Sequence, residues 1–336
     1  MPRLPPHLVT TARAQHPLLP LLLRQTRTLP LALSELRWLR EYISQLPNLT
    51  LSRQHDHLRH LCRRRSLGAP LQYLLKSQPF GDVDILCGKG ALIPRPETEE
   101  TVVRLFSLLE SQLHKNNHNN ALLPTDRELR VLDLCTGPGS ITLLAASNLY
   151  QLHLPRGFRV LGVDISRAAL TLARRSLKYN ITTGALPPAA KHSISFITAD
   201  ILNSNTHAAI EENFGDGSVD IVIANPPYVS LEGYWKDTSR SVRLYEPEMA
   251  LVPPSGRDGV RREDVFYPAI ESLSRRVHAR AVVLETGGDE QSARVEQLFE
   301  GSGWRTGVWV DFAGVRRNVV AWGDDSWSWL ATSSHS

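Results

Sequence analysis

From Leu129 onward the chain repeats one pattern: an apolar run rich in β-branched residues, then a turn, then a helical stretch. The runs are Leu129 to Leu134, Arg159 to Val163, Ile194 to Ala199, Val219 to Ala224, Ala281 to Leu284, Arg305 to Val310 and Asn318 to Trp322. Strands that are apolar without alternation are buried on both faces, and strands separated by helices pair in parallel. The pattern therefore predicts an α/β domain on a seven-stranded, mostly parallel sheet with helices on both sides. Such sheets bind ligands at the carboxyl ends of their strands, so the residues that end each run are the first candidates for function.

The first run, Val131-Leu132-Asp133-Leu134, leads into Cys135-Thr136-Gly137-Pro138-Gly139-Ser140 and then an apolar helix. Glycines in a strand-to-helix turn let backbone N–H groups approach a ligand with no Cβ in the way. This makes Asp133, Cys135, Thr136, Gly137, Pro138 and Gly139 candidate cofactor contacts. The dinucleotide fingerprint needs a third Gly or Ala where this chain has Thr142, which weakens a nicotinamide or flavin reading. The second run ends at Asp164, an acid placed to accept both hydrogens of a ribose diol, while Ser166 is available to cap the next helix. The third ends at Asp200-Ile201, where the acid can reach an adenine amino group and the isoleucine can cover the ring. A nucleoside with a positively charged amino-acid part fits these three strand ends, and S-adenosylmethionine has both.

The fourth run ends in Asn225-Pro226-Pro227-Tyr228. Two prolines fix the backbone and remove N–H donors, leaving carbonyls free to accept. The Asn225 side-chain oxygen and the Pro226 carbonyl can then hold the two hydrogens of an –NH₂ group, with Tyr228 as an aromatic wall. The long segment from Gly233 to Asp264, with Arg243, Tyr245 and Glu246, is expected to line the acceptor cleft.

Ahead of the sheet, Leu36, Leu39, Ile43 and Leu46, then Leu51, Leu58, Leu61 and Cys62, mark two amphipathic helices parted by Pro47 and Asn48. The chain divides on this reading into a helical docking domain over residues 31–68, a linker or hairpin over 69–96, a catalytic domain over 97–325 and a tail over 326–336. Residues 1–34 hold four arginines and no acid, the composition of a mitochondrial transit segment, which is assigned to residues 1–30. Polar surface loops are expected near 114–126 and 182–192. The net charge of +4 does not demand a nucleic-acid partner, and the arginines between Arg53 and Arg65 read as a solvated face or a protein-docking surface. No apolar run is long enough to span a membrane. His55, His57, His60 and Cys62 spread around their helix, so no metal is assigned, and three scattered cysteines form no disulfide framework.

Several segments together resemble the protein-glutamine methyltransferases that modify peptide chain release factors, the fungal mitochondrial type in particular. They are Arg63-Arg64-Arg65 with Gly68-Ala69-Pro70-Leu71-Gln72-Tyr73, the run Leu92-Ile93-Pro94-Arg95-Pro96-Glu97-Thr98-Glu99, the glycine turn, Asn225 to Tyr228, Tyr245-Glu246-Pro247 and Leu284-Glu285-Thr286-Gly287. Pro138 and Cys135 depart from the family's usual residues in the turn. The resemblance implies a class I S-adenosylmethionine-dependent methyltransferase fold, Rossmann-like, with a small N-terminal α-helical domain. It implies catalysis by Asn225, Pro226, Pro227 and Tyr228, with Asn225 also a cofactor contact and Arg95, Pro96, Glu97 and Glu246 also contacting substrate. The implied acceptor is the glutamine of a Gly-Gly-Gln loop in a mitochondrial release factor, in the matrix, with indirect ribosome association and no requirement for nucleic acid. An adenine-N6 nucleic-acid methyltransferase, a methyltransferase of a ribosomal-protein glutamine and a fold retained only for binding are the competing readings.

Overall fold

The computed structural model describes residues 3–47, 49–115, 123–124, 126–256 and 259–331. The chain forms two compact units: one is the chain up to Gln78 with Thr238–Glu246, the other Pro79–Asp237 with the chain from Pro247 on.

The first unit is helical: α1 (Pro6–Gln15), α2 (Leu19–Thr26), α3 (Leu29–Ser44), α4 (Leu51–Ser66) and the short α5 (Leu71–Leu75). Pro6, Pro20 and Pro30 fall in the first turns of α1, α2 and α3, where the missing N–H would have had no intrahelical partner anyway. Pro20 and Pro30, which interrupt the leucine-rich stretch from Leu18 to Leu33, thus start helices. Thr50 caps α4 by accepting from Arg53 N at 3.4 Å. The buried stripes are the expected ones, Leu36, Leu39 and Ile43 against Leu58, Leu61 and Cys62. Ala12, Leu19, Leu22 and Leu23 are fully buried in the same core. The segment that composition set apart as residues 1–30 is therefore packed, from α1 onward, into the helical unit. Glu35, the first acid of the chain, is buried and takes a two-pronged contact from Arg65, with Nε–Oε2 and Nη2–Oε1 both at 2.8 Å. Arg53, Arg59, Arg63 and Arg64 are exposed on α4. This unit holds fourteen Arg and Lys against four Asp and Glu, so the basic excess of the chain lies here and the other unit is acidic.

The boundary between units falls inside β1 (Ser77–Phe80), which is followed by β2 (Val83–Leu86) and α6 (Pro96–Lys115). Then come β3 (Leu129–Leu134), α7 (Ser140–Gln151), β4 (Phe158–Asp164), α8 (Arg167–Thr183), α9 (Ala190–Ser193), β5 (Ile194–Thr198), α10 (Thr206–Phe214) and β6 (Ile221–Ala224). After α11 (Leu231–Lys236) and, in the first unit, α12 (Arg240–Tyr245), the chain adds α13 (Phe266–Arg276), β7 (Ala281–Glu285), α14 (Asp289–Gly301), β8 (Arg305–Val310) and β9 (Arg316–Trp322). The sheet order is β5-β4-β3-β6-β7-β9-β8, with only β9 antiparallel to its neighbours. All seven expected strands are present within two residues of their expected ends.

The central strands β3, β6 and β7 are buried throughout, yet their faces still alternate. Val131, Ile221, Ile223, Ala281 and Val283 pack with α6, α7 and α8, while Leu132, Leu134, Val222, Val282 and Leu284 pack with α10, α13 and α14. The order runs outward from β3 in one direction through β4 and β5, and in the other through β6 and β7. Such a reversal opens a crevice at the carboxyl ends of β3 and β6.

Three expectations about loops change. Residues 182–192 are not simply a surface loop: α8 extends into them, and Leu186 and Ala190 are buried anchors in an otherwise polar stretch. Near 114–126, α6 reaches Lys115, while residues 116–122 and 125 lie outside the described residues. The expected tail begins within a 3₁₀ segment, Asp325–Ala331, that buries Trp327, Trp329 and Leu330, with Trp309 Nε1 donating to the Leu330 carbonyl at 2.9 Å. Among the described residues no helix is long and apolar enough to cross a membrane.

Candidate active site

The turn after β3 places three successive left-handed residues at alternate positions, Cys135 (φ 60°), Gly137 (56°) and Gly139 (88°). Two are glycine because an L-residue is strained there. Beneath the turn, Asp133 Oδ2 accepts from Thr136 Oγ1 (2.6 Å), Thr142 N (3.0 Å) and Thr142 Oγ1 (2.7 Å). Thr142, the residue that breaks the dinucleotide fingerprint, therefore ties the start of α7 to the end of β3. Asp133 has no exposed surface, and burial, helped by the charge of Asp164, pushes its carboxyl up to about 7 against these hydrogen bonds.

A cavity of about 870 Å³ opens at the carboxyl ends of β3, β4, β5 and β6. Cys135, Gly137, Asp164, Asp200, Ile201, Asn225 and Pro227 line it, so the strand ends singled out in the sequence do converge. Asp133, Thr136, Pro138 and Gly139 do not line it; they are buried behind the turn and support it. The rest of the lining includes Gly90 to Leu92, Pro247 to Ala250, Val252 to Pro254, Arg262 and Phe266; of these, Pro247 to Pro254 and Arg262 fall in the segment expected to line the cleft, while Gly90, Ala91 and Phe266 were not named from the sequence. The segment from Gly233 to Asp264 is thus divided: Thr238–Glu246 belongs to the helical unit, and its later part lines the cavity. Glu246, expected to contact substrate, is carried by the helical unit as the C-cap of α12.

Asp164 Oδ2 accepts from Gly137 N at 2.8 Å and Oδ1 from Ser166 N at 2.7 Å, which fixes the carboxylate while leaving each oxygen a second lone pair. Burial raises its pKa, and those two backbone N–H groups oppose the rise. Ser166 caps α8 by accepting from Ala169 N at 3.2 Å, as expected. Asp200 Oδ1 accepts from Leu202 N at 3.0 Å. S-adenosylmethionine fits these residues: a Cβ added to Gly137 would meet nothing nearer than Cys135 O at 4.0 Å, so the turn leaves room beside the Asp164 carboxylate, and the volume is that of a small-molecule site. Asp164 would hold the ribose diol, and Asp200 with Ile201 the adenine. Asp164→Ala is expected to weaken cofactor binding by about 100-fold, the loss of two charge-assisted hydrogen bonds. Calorimetric titration checks this, and an affinity within threefold of wild type would exclude the role.

Beyond β6, Asn225 Nδ2 donates to Thr98 Oγ1 at 2.9 Å, and Thr98 Oγ1 donates to Glu285 Oε2 at 2.6 Å. The other carboxylate oxygen, Glu285 Oε1, accepts from the Tyr228 hydroxyl at 3.0 Å, and the Glu285 backbone carbonyl accepts from the Tyr267 hydroxyl at 3.0 Å. Glu285 ends β7 and is buried; burial, with Glu97 nearby, raises its pKa, while its bonds from Thr98 and Tyr228 and the charge of Arg317 hold it down. Burial, followed by the charge of Glu285, pushes the Tyr228 hydroxyl well up, so it stays a donor. Gly287 lies close against this group: a Cβ there would stand 2.9 Å from Gln291 Oε1 and 3.3 Å from the Tyr228 ring.

Pro226 is buried and does not line the cavity, whereas Pro227 does. Arg95 and Glu97 are half-buried and Pro96 is exposed, flanking the start of α6 without lining the cavity. The residue of that run that meets Asn225 is Thr98. Sequence reasoning named neither Thr98 nor Glu285 as a site residue, although both sit in the segments that carried the resemblance.

A family model for FtsJ-like methyltransferases matches residues 111–276. Among curated proteins, the chain is 32% identical to a probable MRF1 mitochondrial N(5)-glutamine methyltransferase of Schizosaccharomyces pombe, covering 91% of this chain and 92% of the relative. It is 32% identical to the mitochondrial MRF1 N(5)-glutamine methyltransferase of Saccharomyces cerevisiae over 75% of this chain and 68% of that protein. A release factor glutamine methyltransferase of Chlorobaculum tepidum is also 32% identical, over 70% of each chain. With that similarity running through both units and across the converged strand ends, the chain belongs to the release factor glutamine methyltransferases, S-adenosylmethionine-dependent enzymes of the class I methyltransferase fold.

Proposed function

We propose that this protein methylates the side-chain amide nitrogen of the glutamine in the Gly-Gly-Gln loop of a mitochondrial peptide chain release factor, and so supports translation termination in the matrix. The observation that carries the reading is the Asn225 carboxamide on the cavity wall, its nitrogen committed to Thr98 and its oxygen left as an acceptor. S-adenosylmethionine, when bound, supplies an electrophilic methyl group on a sulfonium. The protein's part is to present the nucleophile, because an amide nitrogen is weak and in-line attack needs its lone pair aimed. In this reading Asn225 Oδ1 and the Pro226 carbonyl accept the two amide hydrogens and turn the lone pair toward the cofactor end of the cavity. The same acceptors stabilise the positive charge that develops on the nitrogen. The Tyr228 ring closes the acceptor side, held by its hydroxyl on Glu285.

The two yeast relatives are named for mitochondrial enzymes acting on MRF1, which supports that compartment for this chain. The basic helical unit supplies a docking face for the release factor, or for that factor in association with the ribosome.

The test is methyl transfer from labelled S-adenosylmethionine to a purified mitochondrial release factor, beside the same factor with Ala in place of the loop glutamine. A ribosomal-protein fraction and duplex DNA complete the set. Label confined to the wild-type factor is expected. Label on the ribosomal proteins or on DNA, with none on the factor, would overturn the assignment in favour of that acceptor.

A further inference from the structure

We propose that Glu285 is a positioning residue for methyl transfer: through Thr98 it holds the Asn225 carboxamide with its oxygen presented to the acceptor, and with its other oxygen it fixes Tyr228. The inference rests on the reading of Asn225 as the acceptor-binding residue.

A carboxamide has two ends of nearly equal size, and only one of them can accept the hydrogens of an acceptor amide. If the Asn225 side chain flipped, its –NH₂ group would face the acceptor –NH₂, donor against donor. The protein must therefore choose one orientation, and the hydrogen-bond directions show what makes the choice. Thr98 has a single hydroxyl hydrogen. Glu285 Oε2, as a carboxylate oxygen, takes that hydrogen at 2.6 Å. Thr98 Oγ1 is then left only with lone pairs toward Asn225, so the atom it meets at 2.9 Å must be the donor Nδ2. Each bond dictates the direction of the next, and Oδ1 is what remains.

The fold delivers these residues from three places: Thr98 from the first turn of α6, Asn225 from just beyond β6 and Glu285 from the end of β7. β6 and β7 are paired neighbours, Ala224 opposite Leu284, so the register brings Asn225 and Glu285 to the same edge. Thr98 and Glu285 are 4% and 3% exposed, which keeps water from competing for either bond. The second arm uses the same carboxylate: Glu285 Oε1 accepts from Tyr228 at 3.0 Å, so one group sets both ends of the tetrapeptide. The charged groups facing Glu285 are Arg317 and Glu97, of opposite effect, and neither forms part of the chain of bonds to Asn225.

The experiment compares Thr98→Val, Thr98→Ser, Glu285→Gln, Asn225→Ala and the double variant Asn225→Ala/Thr98→Val in the full-length protein. Methyl transfer is measured on a release-factor acceptor, and calorimetric cofactor binding confirms folding. Thr98→Val is expected to lower kcat about 30-fold, a conversion of roughly 2 kcal/mol for one buried bond, with KM and cofactor affinity within threefold. Thr98→Ser, which keeps the hydroxyl, should restore turnover to within threefold of wild type. Glu285→Gln can accept from only one of the two hydroxyls and should lose turnover severalfold.

In the Asn225→Ala background, Thr98→Val should cause no further loss, since its only route to the reaction is gone. Full loss in Thr98→Ser, wild-type turnover in Thr98→Val or Glu285→Gln, or an additive double variant would overturn the relay. If Asn225→Ala alone retained wild-type turnover, the acceptor reading would fail instead, and the relay with it.

Discussion

Asn225→Ala is expected to lower kcat by about 1,000-fold, roughly 4 kcal/mol of transition-state stabilisation, while cofactor affinity changes no more than threefold. The split follows from what the side chain does. Asn225 lines the cavity, but the groups placed for the nucleoside are Asp164, Asp200 and Ile201 at three other positions, so truncating Asn225 leaves that end intact. What disappears is the acceptor of an amide hydrogen at the point where positive charge grows, inside a site where such a bond is worth more than in water. Truncation also leaves Thr98 with an unused lone pair beside Glu285, a smaller penalty that falls on stability rather than on turnover. Asn225→Asp is a sharper variant, because it keeps an acceptor but has no –NH₂ to give Thr98 and sets a second carboxylate near Glu285; it should be at least as inactive. Steady-state kinetics with calorimetric titration of the cofactor decide the matter. Parallel losses in kcat and in cofactor affinity would mean that Asn225 acts on the cofactor, and the acceptor role would be withdrawn.

The convergence of the strand ends on one cavity was legible in the sequence because it is local. Asp164, Asp200 and Ile201 each end an apolar run, and a parallel sheet carries every such end to one edge whatever the loops do. The same logic placed Asp133, Thr136, Pro138 and Gly139 beside them, but a turn has an inside, and those four are buried on it rather than on the cavity wall. Thr98 and Glu285 were not legible as partners because 187 residues separate them, and no periodicity encodes their meeting. The segment 247–254 was read together with the rest of Gly233 to Asp264 as cleft lining, since nothing in its composition marks where the part that belongs to the helical unit ends. The buried tryptophans of Asp325–Ala331 were missed for the reverse reason, an apolar anchor too short to show a period.

Asp133→Asn is expected to remove a pH dependence of stability rather than to weaken the fold. In the native protein Asp133 has no exposed surface, and its Oδ2 already accepts three hydrogen bonds from Thr136 and Thr142. Among the described residues its Oδ1 has no hydrogen-bond partner, so a proton on Oδ1 relieves a buried charge without breaking any of the three. Its folded pKa of about 7 lies above the unfolded value near 3.9, so the folded state binds the proton more tightly. The stability this contributes is complete below about pH 4 and is lost as the pH rises through 7. Between pH 5 and pH 8 the wild-type protein should lose about 3 kcal/mol from this group alone. Asp164 and Glu285, also raised by burial, act in the same direction, so the wild-type curve by itself does not isolate Asp133. The asparagine variant does: its oxygen can take the three bonds of Oδ2 and its –NH₂ can stand where the protonated Oδ1 stood, with nothing left to ionise. Urea unfolding at pH 5 should find the two proteins nearly equal, and at pH 8 the variant the more stable by about 3 kcal/mol. A difference that stays constant across that range would show that Asp133 is ionised throughout. The knot beneath the turn would then be held by a charge rather than by a shared proton.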